Sequence, residues 1–246
     1  TYVRNYPVPY AKEETVDSGE VAEKMIAPDY YPSYSFTTIK LVDVSDRENP
    51  KIVRSVDFEG SYLTSRKIDD VVYFVINNYP RYYAYAEGNP ERLEQKEIVP
   101  LYRDLGENEI ENEVDEDFQP TVECGNIAYF DPIQSRNFVT IASISMDDVN
   151  AKIDKEVIVG SGQNVYASLN NLYIAEVEYS YYNPGPMPLA EKIANNEIVQ
   201  ENTEKTAIHK FSLNNGKIEY MGSGRVKGTI LNQFSMDEYN DNFRIA

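Results

Sequence analysis

The chain has little of several residue types that build functional sites. Its 246 residues include one cysteine, Cys124, one histidine, His209, and no tryptophan. A single cysteine excludes an internal disulfide and a cysteine-based metal site, and a single histidine excludes a histidine-rich metal centre. Basic residues are also scarce: 23 stand against 41 acidic ones, giving a formal charge of −18. Since nucleic-acid binding needs a basic face, this balance argues against such a partner.

Long apolar runs are absent too. No stretch approaches the roughly 18 apolar residues of a transmembrane helix, so we expect no membrane span. The 21 tyrosines and 9 phenylalanines, in contrast, are too many for a disordered acidic chain. The chain starts at Thr1 without an initiator methionine, and residues 242–246 look like an interrupted strand. We therefore expect a processed product or part of a longer protein.

From residue 36 onward, short runs of β-branched and aromatic residues predict strands. The predicted strands are 36–44, 50–58, 62–68, 71–76, 138–146, 157–159, 165–169, 172–177, 206–213, 217–221, 229–234 and 243–245, with further candidates at 98–102 and 126–130. Tight-turn signals such as Asn214-Asn215-Gly216 join them. The result is an antiparallel all-β fold.

The strands recur in three similar sets. Their openings are Phe36-Thr37-Thr38-Ile39, Phe138-Val139-Thr140-Ile141 and Lys205-Thr206-Ala207-Ile208. A glycine follows a threonine by 22 residues in each set: Thr38 to Gly60, Thr140 to Gly162, and Thr206 to Gly228. A strand-only repeat of roughly 40 residues predicts a β-propeller built of four-stranded antiparallel blades.

We predict a polar N-terminal arm or loop at 1–35, and propeller blades over 36–246. Long insertions at 79–137 and 179–205 interrupt the blades. The strands amount to about three blade-equivalents, fewer than the four to eight of a closed propeller, so an incomplete propeller is expected. The missing blades would come from self-assembly or from the rest of the parent chain.

Several segments resemble one protein family. They are Gly160-Ser161-Gly162-Gln163-Asn164-Val165-Tyr166-Ala167-Ser168, Asn171-Leu172-Tyr173-Ile174-Ala175, Lys205-Thr206-Ala207-Ile208 and Leu231-Asn232-Gln233-Phe234-Ser235-Met236-Asp237-Glu238-Tyr239. These segments are similar to the secreted bacterial and archaeal β-propellers that are distantly related to WD-repeat proteins. The resemblance implies a propeller fold and a secreted or cell-surface location, and it implies no reaction or catalytic residue.

Acidic residues offer two candidate sites that we interpret as structural. Residues 107–117 hold seven acids and no base, which could bind Ca²⁺ but match no calcium-loop spacing. A solvated loop is the favoured interpretation. The pairs Asp69-Asp70, Asp147-Asp148 and Asp237-Glu238 recur beside strands, where aspartate favours turns, so catalysis by them is the weaker alternative. We expect no cofactor.

Tyrosine clusters in the loops are the best sequence hint of binding. The candidate contact residues are Tyr30, Tyr31, Tyr82, Tyr83, Tyr181 and Tyr182, since exposed tyrosines can stack on sugars or anchor a protein. Covering the core from the loop side is nevertheless the interpretation that we favour for them. His209 shares a strand face with Ala207 and Phe211 and lacks a nucleophile motif, so we interpret it as a structural residue.

The function that fits best is a non-catalytic extracellular or cell-envelope interaction module that binds a protein or polysaccharide through its inserted loops. Two alternatives remain open. One is a glycosidase- or lyase-type enzyme with carboxylates on the propeller axis, and the other is a structural subunit of a larger surface assembly.

Overall fold

The computed structural model describes residues 2–5, 33–79, 98–110, 118–130, 133, 135–179 and 204–246. The predicted residues Tyr30, Tyr31, Tyr82, Tyr83, Tyr181 and Tyr182 lie outside these ranges. The strands are β1 (Tyr2–Asn5), β2 (Ser33–Asp43), β3 (Lys51–Glu59), β4 (Ser61–Ile68), β5 (Val71–Asn78), β6 (Leu101–Gly106), β7 (Gln119–Pro120), β8 (Phe138–Ser145), β9 (Asp154–Val159), β10 (Asn164–Ala167), β11 (Asn171–Tyr179), β12 (Glu204–Asn214), β13 (Lys217–Lys227), β14 (Met236–Tyr239) and β15 (Asn242–Ile245). Within the described ranges, two short 3-10 helices, Cys124–Asn126 and Gln233–Ser235, lie between strands. The chain is all-β, as predicted.

The strands divide between two compact units. The first comprises residues 1–61 and 79–121, and the second comprises 62–78 and 122–246. In the first unit the sheet order is β1-β2-β3-β6-β7. In the second unit the sheets are β4-β5-β8-β9, β10-β11-β12-β13 and the hairpin β14-β15. Two of these sheets are four-stranded antiparallel meanders, the architecture predicted for a blade.

The first unit receives two strands from the predicted 79–137 insertion. β6 pairs with β3, with Asp57 opposite Arg103, and β7 pairs with β6. The Arg103 guanidinium donates to Oδ2 of Asp57 from Nε at 3.1 Å and from Nη2 at 2.5 Å. Arg54 donates to both oxygens of Asp104, at 2.8 and 2.7 Å. These cross-strand ion pairs attach the inserted strand to the blade.

Apolar faces of the blades form the core of the second unit. One cluster joins β5 and β8 to β11 and β12 through side chains such as Val75, Ile141, Ile174 and Phe211. A second cluster joins β11 and β12 to β14 and includes Tyr173, Ala175, Ile208, Ile230 and Met236. Because alternate residues of β11 belong to the two clusters, this sheet buries both faces, and its sequence is accordingly apolar at successive positions.

Tight turns follow the sequence signals. Asn215 and Gly216 have φ of 47° and 88°, and Asp69 has φ of 49°. Asparagine, aspartate and glycine accept this left-handed backbone region most readily. The N–H of Gly216 donates to Tyr73 Oη at 2.9 Å, so this hairpin is fixed to β5. The Asp69 and Asp148 turns agree with the structural interpretation of those pairs, whereas Asp237-Glu238 lies within β14.

The repeat is present with a different glycine in its second copy. The N–H groups of Gly60, Gly160 and Gly228 donate to the carbonyl oxygens of Ser35, Asn137 and Glu204, respectively. In the outer copies a threonine hydroxyl donates to the same glycine: Thr37 to Gly60 O at 2.9 Å and Thr206 to Gly228 O at 2.7 Å. The structural equivalent of Gly60 is therefore Gly160. It lies two residues before Gly162, which the sequence spacing had matched to Gly60.

The predicted strand at 229–234 is wrong. These residues form bends and the start of the 3-10 helix Gln233–Ser235, and the strand that follows is β14. The Asn232 side chain accepts the N–H of Phe234 at 2.9 Å, an interaction that favours a turn over an extended chain. Leu231 and Phe234 supplied the apolar pattern of the prediction, but both are exposed.

Candidate functional site

A concavity of the second unit lies where the first strands of three successive sheets meet. It is an open pocket of about 950 Å³. The walls come from β4, from β10 with its following turn, and from β14 with the 3-10 helix before it. Buried apolar side chains of neighbouring strands, including Val75 and Leu172, close its base. The volume is at the upper end of the range of about 300–1,000 Å³ found for small-ligand sites.

The turn after β10 forms one part of the rim. Ser168 N–H donates to the carbonyl oxygen of Asn171 at 2.9 Å, and Ser168 Oγ accepts the N–H of Asn171 at 3.1 Å. The carbonyl oxygen of Asn170 accepts the N–H of Leu213 at 2.8 Å. Leu169, at the tip, is 70% exposed. Hydrogen bonds thus hold the turn while its apolar side chain faces solvent.

The 3-10 helix before β14 forms another part of the rim. The Asn232 side chain caps this helix by accepting the N–H of Phe234. In addition, Ser235 N–H donates to Asn232 O at 3.0 Å, and Ala246 N–H donates to Ser235 O at 3.0 Å. Phe234, on this braced turn, is 86% exposed and lines the pocket. Leu231, just before it, is 87% exposed. Two exposed apolar side chains so close in the chain make this part of the rim a candidate contact surface.

Glu238 on β14 connects the pocket wall to the neighbouring blade. Its Oε1 accepts from Asn171 Nδ2 at 2.8 Å, and its N–H donates to Tyr166 Oη at 3.2 Å. Behind it, Tyr173 stacks on Phe243 with ring centroids 3.9 Å apart. Burial, and then the negative charge of Glu238, raise the pKa of the Tyr173 phenol. The Tyr173 phenol therefore stays neutral at physiological pH.

The polar lining is mixed and nearly balanced in charge. Hydroxyl and amide side chains are contributed by Thr64, Ser65, Ser168, Asn170, Gln233 and Asn240. Among the described lining residues the charged ones are Arg66, Glu238 and Asp241, and none is histidine or cysteine. A nucleophile paired with an imidazole base is therefore missing from this described lining.

His209 lies away from the pocket, in the core of the second unit. It is 2% exposed, and its Nε2 is 3.8 Å from Glu176 Oε1. The Phe130 ring covers it at a centroid distance of 4.1 Å. Glu176 also accepts the N–H of Ser161 at 2.7 Å. The prediction that His209 is a structural strand residue agrees with this position.

Other predicted sites are tested only in part. The tyrosine pairs remain predictions, since they lie beyond the described ranges. Of the acidic run, Glu107 and Glu109 lie in a turn where Gly106 N–H donates to Glu109 Oε2 at 2.9 Å, and 111–117 are outside the described residues. Over the part of the chain that is described, no group of three or more His, Cys, Asp or Glu side chains could hold a metal ion. Likewise, no helix there is long and apolar enough to cross a membrane.

Sequence reasoning missed Leu169, Leu231 and Phe234. Each lies in or beside a turn, next to asparagines: Leu169 precedes Asn170, and Asn232 lies between Leu231 and Phe234. Exposed apolar residues in such turns were a usable signal, because turn positions ordinarily favour polar residues and glycine. For Leu231 and Phe234 this signal was overlooked because residues 229–234 were assigned to a strand.

Comparison with protein families agrees with the strand architecture. A family model described as "Beta propeller domain" matches residues 4–246. The chain belongs to the beta propeller domain family. Its four-stranded sheets are propeller blades. Within the described residues, two four-stranded sheets, one five-stranded sheet and the hairpin β14-β15 agree with the prediction of about three blade-equivalents. Neither a curated protein nor a solved structure matches this propeller chain.

Membership in this family identifies the chain as a propeller-type interaction module. A propeller presents loops and strand ends from a rigid set of blades, and binding residues commonly lie on such loops. Secretion and a relationship to WD-repeat proteins remain implications of the sequence resemblance.

Proposed function

We propose that this propeller is a non-catalytic extracellular or cell-envelope interaction module that binds a protein or polysaccharide. The observation that carries the proposal is the pocket between β4, β10 and β14, with exposed Leu169 and Phe234 on its rim. Exposed apolar side chains beside convergent polar groups are characteristic of binding sites. The tyrosines predicted from the sequence, Tyr30, Tyr31, Tyr82, Tyr83, Tyr181 and Tyr182, are further candidate contact residues that lie outside the described ranges.

An enzyme is the weaker alternative. The pocket lining includes two carboxylates, Glu238 and Asp241, which a glycosidase-type reaction would require. However, Oε1 of Glu238 already accepts a hydrogen bond from Asn171 within the fold. The carboxylate is therefore held in the wall by a neighbouring blade, which favours a positioning role over proton transfer.

A binding screen tests the proposal. The immobilised chain is exposed to solubilised envelope proteins and to a glycan array, with Phe234→Ala and Leu169→Ser as variants. Tyr129→Ala is the matched control, because Tyr129 is 67% exposed and is not part of the pocket lining. We expect a bound partner whose retention falls at least about tenfold in Phe234→Ala, the loss expected for one well-buried aromatic contact.

Three results would contradict the proposal. Binding to neither protein nor glycan removes it, and equal retention by Phe234→Ala and the control moves the contact away from the pocket. Release of shortened glycans by the wild-type chain, lost in Glu238→Gln, would favour the enzyme. The secreted or cell-surface location is proposed from the sequence resemblance, and immunoblotting of fractionated cells and medium tests it.

A further inference from the structure

The charges of the residues that line the pocket indicate which class of ligand it binds. This inference rests on the proposed interaction function. Among the described lining residues, one basic side chain, Arg66, stands against two acidic ones, Glu238 and Asp241. Although the whole chain carries a charge of −18, this lining has almost no excess charge. Charge complementarity therefore favours an uncharged ligand over a cationic peptide or an anionic polymer.

The polar groups of the lining suit ligands that carry many hydroxyls. Asn170, Gln233 and Asn240 provide amides, each with two N–H donors and an acceptor oxygen, while Thr64 and Ser65 provide hydroxyls. A hydroxyl group both donates and accepts, so it can be satisfied by an amide in either orientation. A lining of mixed donors and acceptors without concentrated charge thus matches the hydroxyl-bearing edge of a sugar.

The rim supplies the apolar counterpart. The ring of Phe234 is 86% exposed on a turn fixed by the Asn232 side chain, and Leu169 is 70% exposed on the hydrogen-bonded turn after β10. A rigid aromatic ring loses little conformational entropy on binding and offers a flat face. A pyranose ring has a flat apolar C–H face opposite such a ring, with hydroxyls at its edge.

Two of the three wall strands are short for binding a peptide. Peptides that bind by strand addition need a long unpaired edge. Two of the three wall strands, β10 (Asn164–Ala167) and β14 (Met236–Tyr239), have only 4 residues each. Such short edges offer few backbone hydrogen bonds to an added strand.

We infer that the pocket is a binding site for a neutral oligosaccharide or for a segment of a neutral polysaccharide. The Phe234 ring stacks on the apolar face of one sugar, and the amides of Asn170 and Gln233 bind hydroxyls of the same or the next unit. The volume of about 950 Å³ leaves room for more than one sugar ring.

The test begins with neutral and charged glycans on the same array, followed by isothermal titration calorimetry with the best neutral oligosaccharide. We expect Phe234→Ala and Gln233→Ala to weaken binding about tenfold or more. Phe234→Trp should stay within about threefold of the wild type, whereas Phe234→Leu should behave like the alanine variant because it keeps apolar volume without a flat ring. Tyr129→Ala is the control, and circular dichroism confirms that each variant is folded.

The salt dependence of the affinity and the binding of the variants distinguish the possible outcomes. For an uncharged ligand the affinity should be unchanged between low and high salt. Two results would overturn the oligosaccharide assignment and leave the proposed interaction module in place. One is binding of charged glycans only, and the other is binding of a peptide with equal affinity by Phe234→Leu and the wild type. Absence of any glycan or protein partner would remove both proposals. Neutral-glycan binding that is equal in Phe234→Ala, Gln233→Ala and the control would overturn the pocket assignment.

Discussion

At the scale of single residues, buried charge defines how the first unit is assembled. Arg103 and Asp57 are 1% and 2% exposed and face each other across β6 and β3. Thr38 Oγ1 donates to the second oxygen of Asp57 at 2.6 Å, and the Arg103 guanidinium lies 4.5 Å from the Phe118 ring centroid. A desolvated charge is tolerated when its hydrogen bonds and opposite charges are in place, and removing one member of a buried ion pair is strongly destabilising.

Asp57→Ala should therefore destabilise the chain by roughly 3–5 kcal/mol, the cost of breaking a buried ion pair by removing one of its members. Urea unfolding followed by circular dichroism measures it. The control is Asp237→Ala, which removes a carboxylate that contacts Arg244 at an exposed position and should cost less than about 1 kcal/mol. Equal losses in the two variants would contradict a dominant role for the buried pair.

Side-chain chemistry at this scale was partly visible in the sequence. His209 was predicted to share a strand face with Phe211, and both are buried in the second unit. Leu169 and Phe234 were missed because their apolar side chains placed them in the predicted strands 165–169 and 229–234, although the neighbouring asparagines indicated turns. Only the course of the backbone around Asn232 turns Phe234 towards solvent.

At the scale of elements, the hairpin β14-β15 depends on contacts with its neighbouring blade. Phe243 stacks on Tyr173 with rings inclined by 11°, and its centroid lies 6.2 Å from that of Tyr166. Glu238 adds hydrogen bonds to Asn171 and Tyr166. A two-stranded hairpin is marginal in water, so these contacts provide much of its stability.

Phe243→Ala should loosen this hairpin selectively. We expect faster amide hydrogen exchange over residues 236–245 and a loss of about 1–3 kcal/mol, less than for a fully buried phenylalanine. Protection of β12 should be unchanged. Tyr239→Ala, on the same hairpin with an exposed ring, is the control. Exchange that rises equally across both elements would indicate global rather than local unfolding.

The strands themselves were predictable where local signals determine them. Alternating or continuous apolar runs bounded by Asn, Asp and Gly predicted β2, β5, β8 and β12 close to their bounds. Pairing between β3 and β6 was not predictable, because residues 60–100 separate the two strands in the chain. That choice depends on complementary side chains such as Arg54 and Asp104 meeting in space.

At the scale of the whole molecule, excess acidity has a specific consequence for stability. Burial, and then the charges of Asp154 and Glu219, raise the pKa of Glu156 above its ordinary value of 4.5. In the window between the ordinary and the raised pKa, the folded state binds more protons than the unfolded state. Stability from this group is therefore present at low pH and falls as pH rises through that window.

Glu156→Gln should remove this decrease in stability with rising pH. We expect higher stability than wild type near pH 7, by no more than about 1 kcal/mol since the side chain is only half-buried, and little difference below the ordinary pKa. Thermal unfolding between acidic and neutral pH measures it, with the exposed Glu48→Gln as the control. If the stability of the wild type instead rose with pH between the ordinary and the raised pKa, while that of Glu156→Gln stayed constant, the result would contradict a raised pKa for Glu156.

The sequence alone determined the fold class, the blade repeat and the turns. These depend on side-chain alternation and on residues that accept positive φ, which act over a few neighbouring positions. The tertiary structure decided that Gly160 is the repeat equivalent, that β6 joins β3, and that three first strands create a pocket with Phe234 on its rim. Each of these depends on groups far apart in the chain, and their energies exist only once the backbone has brought them together.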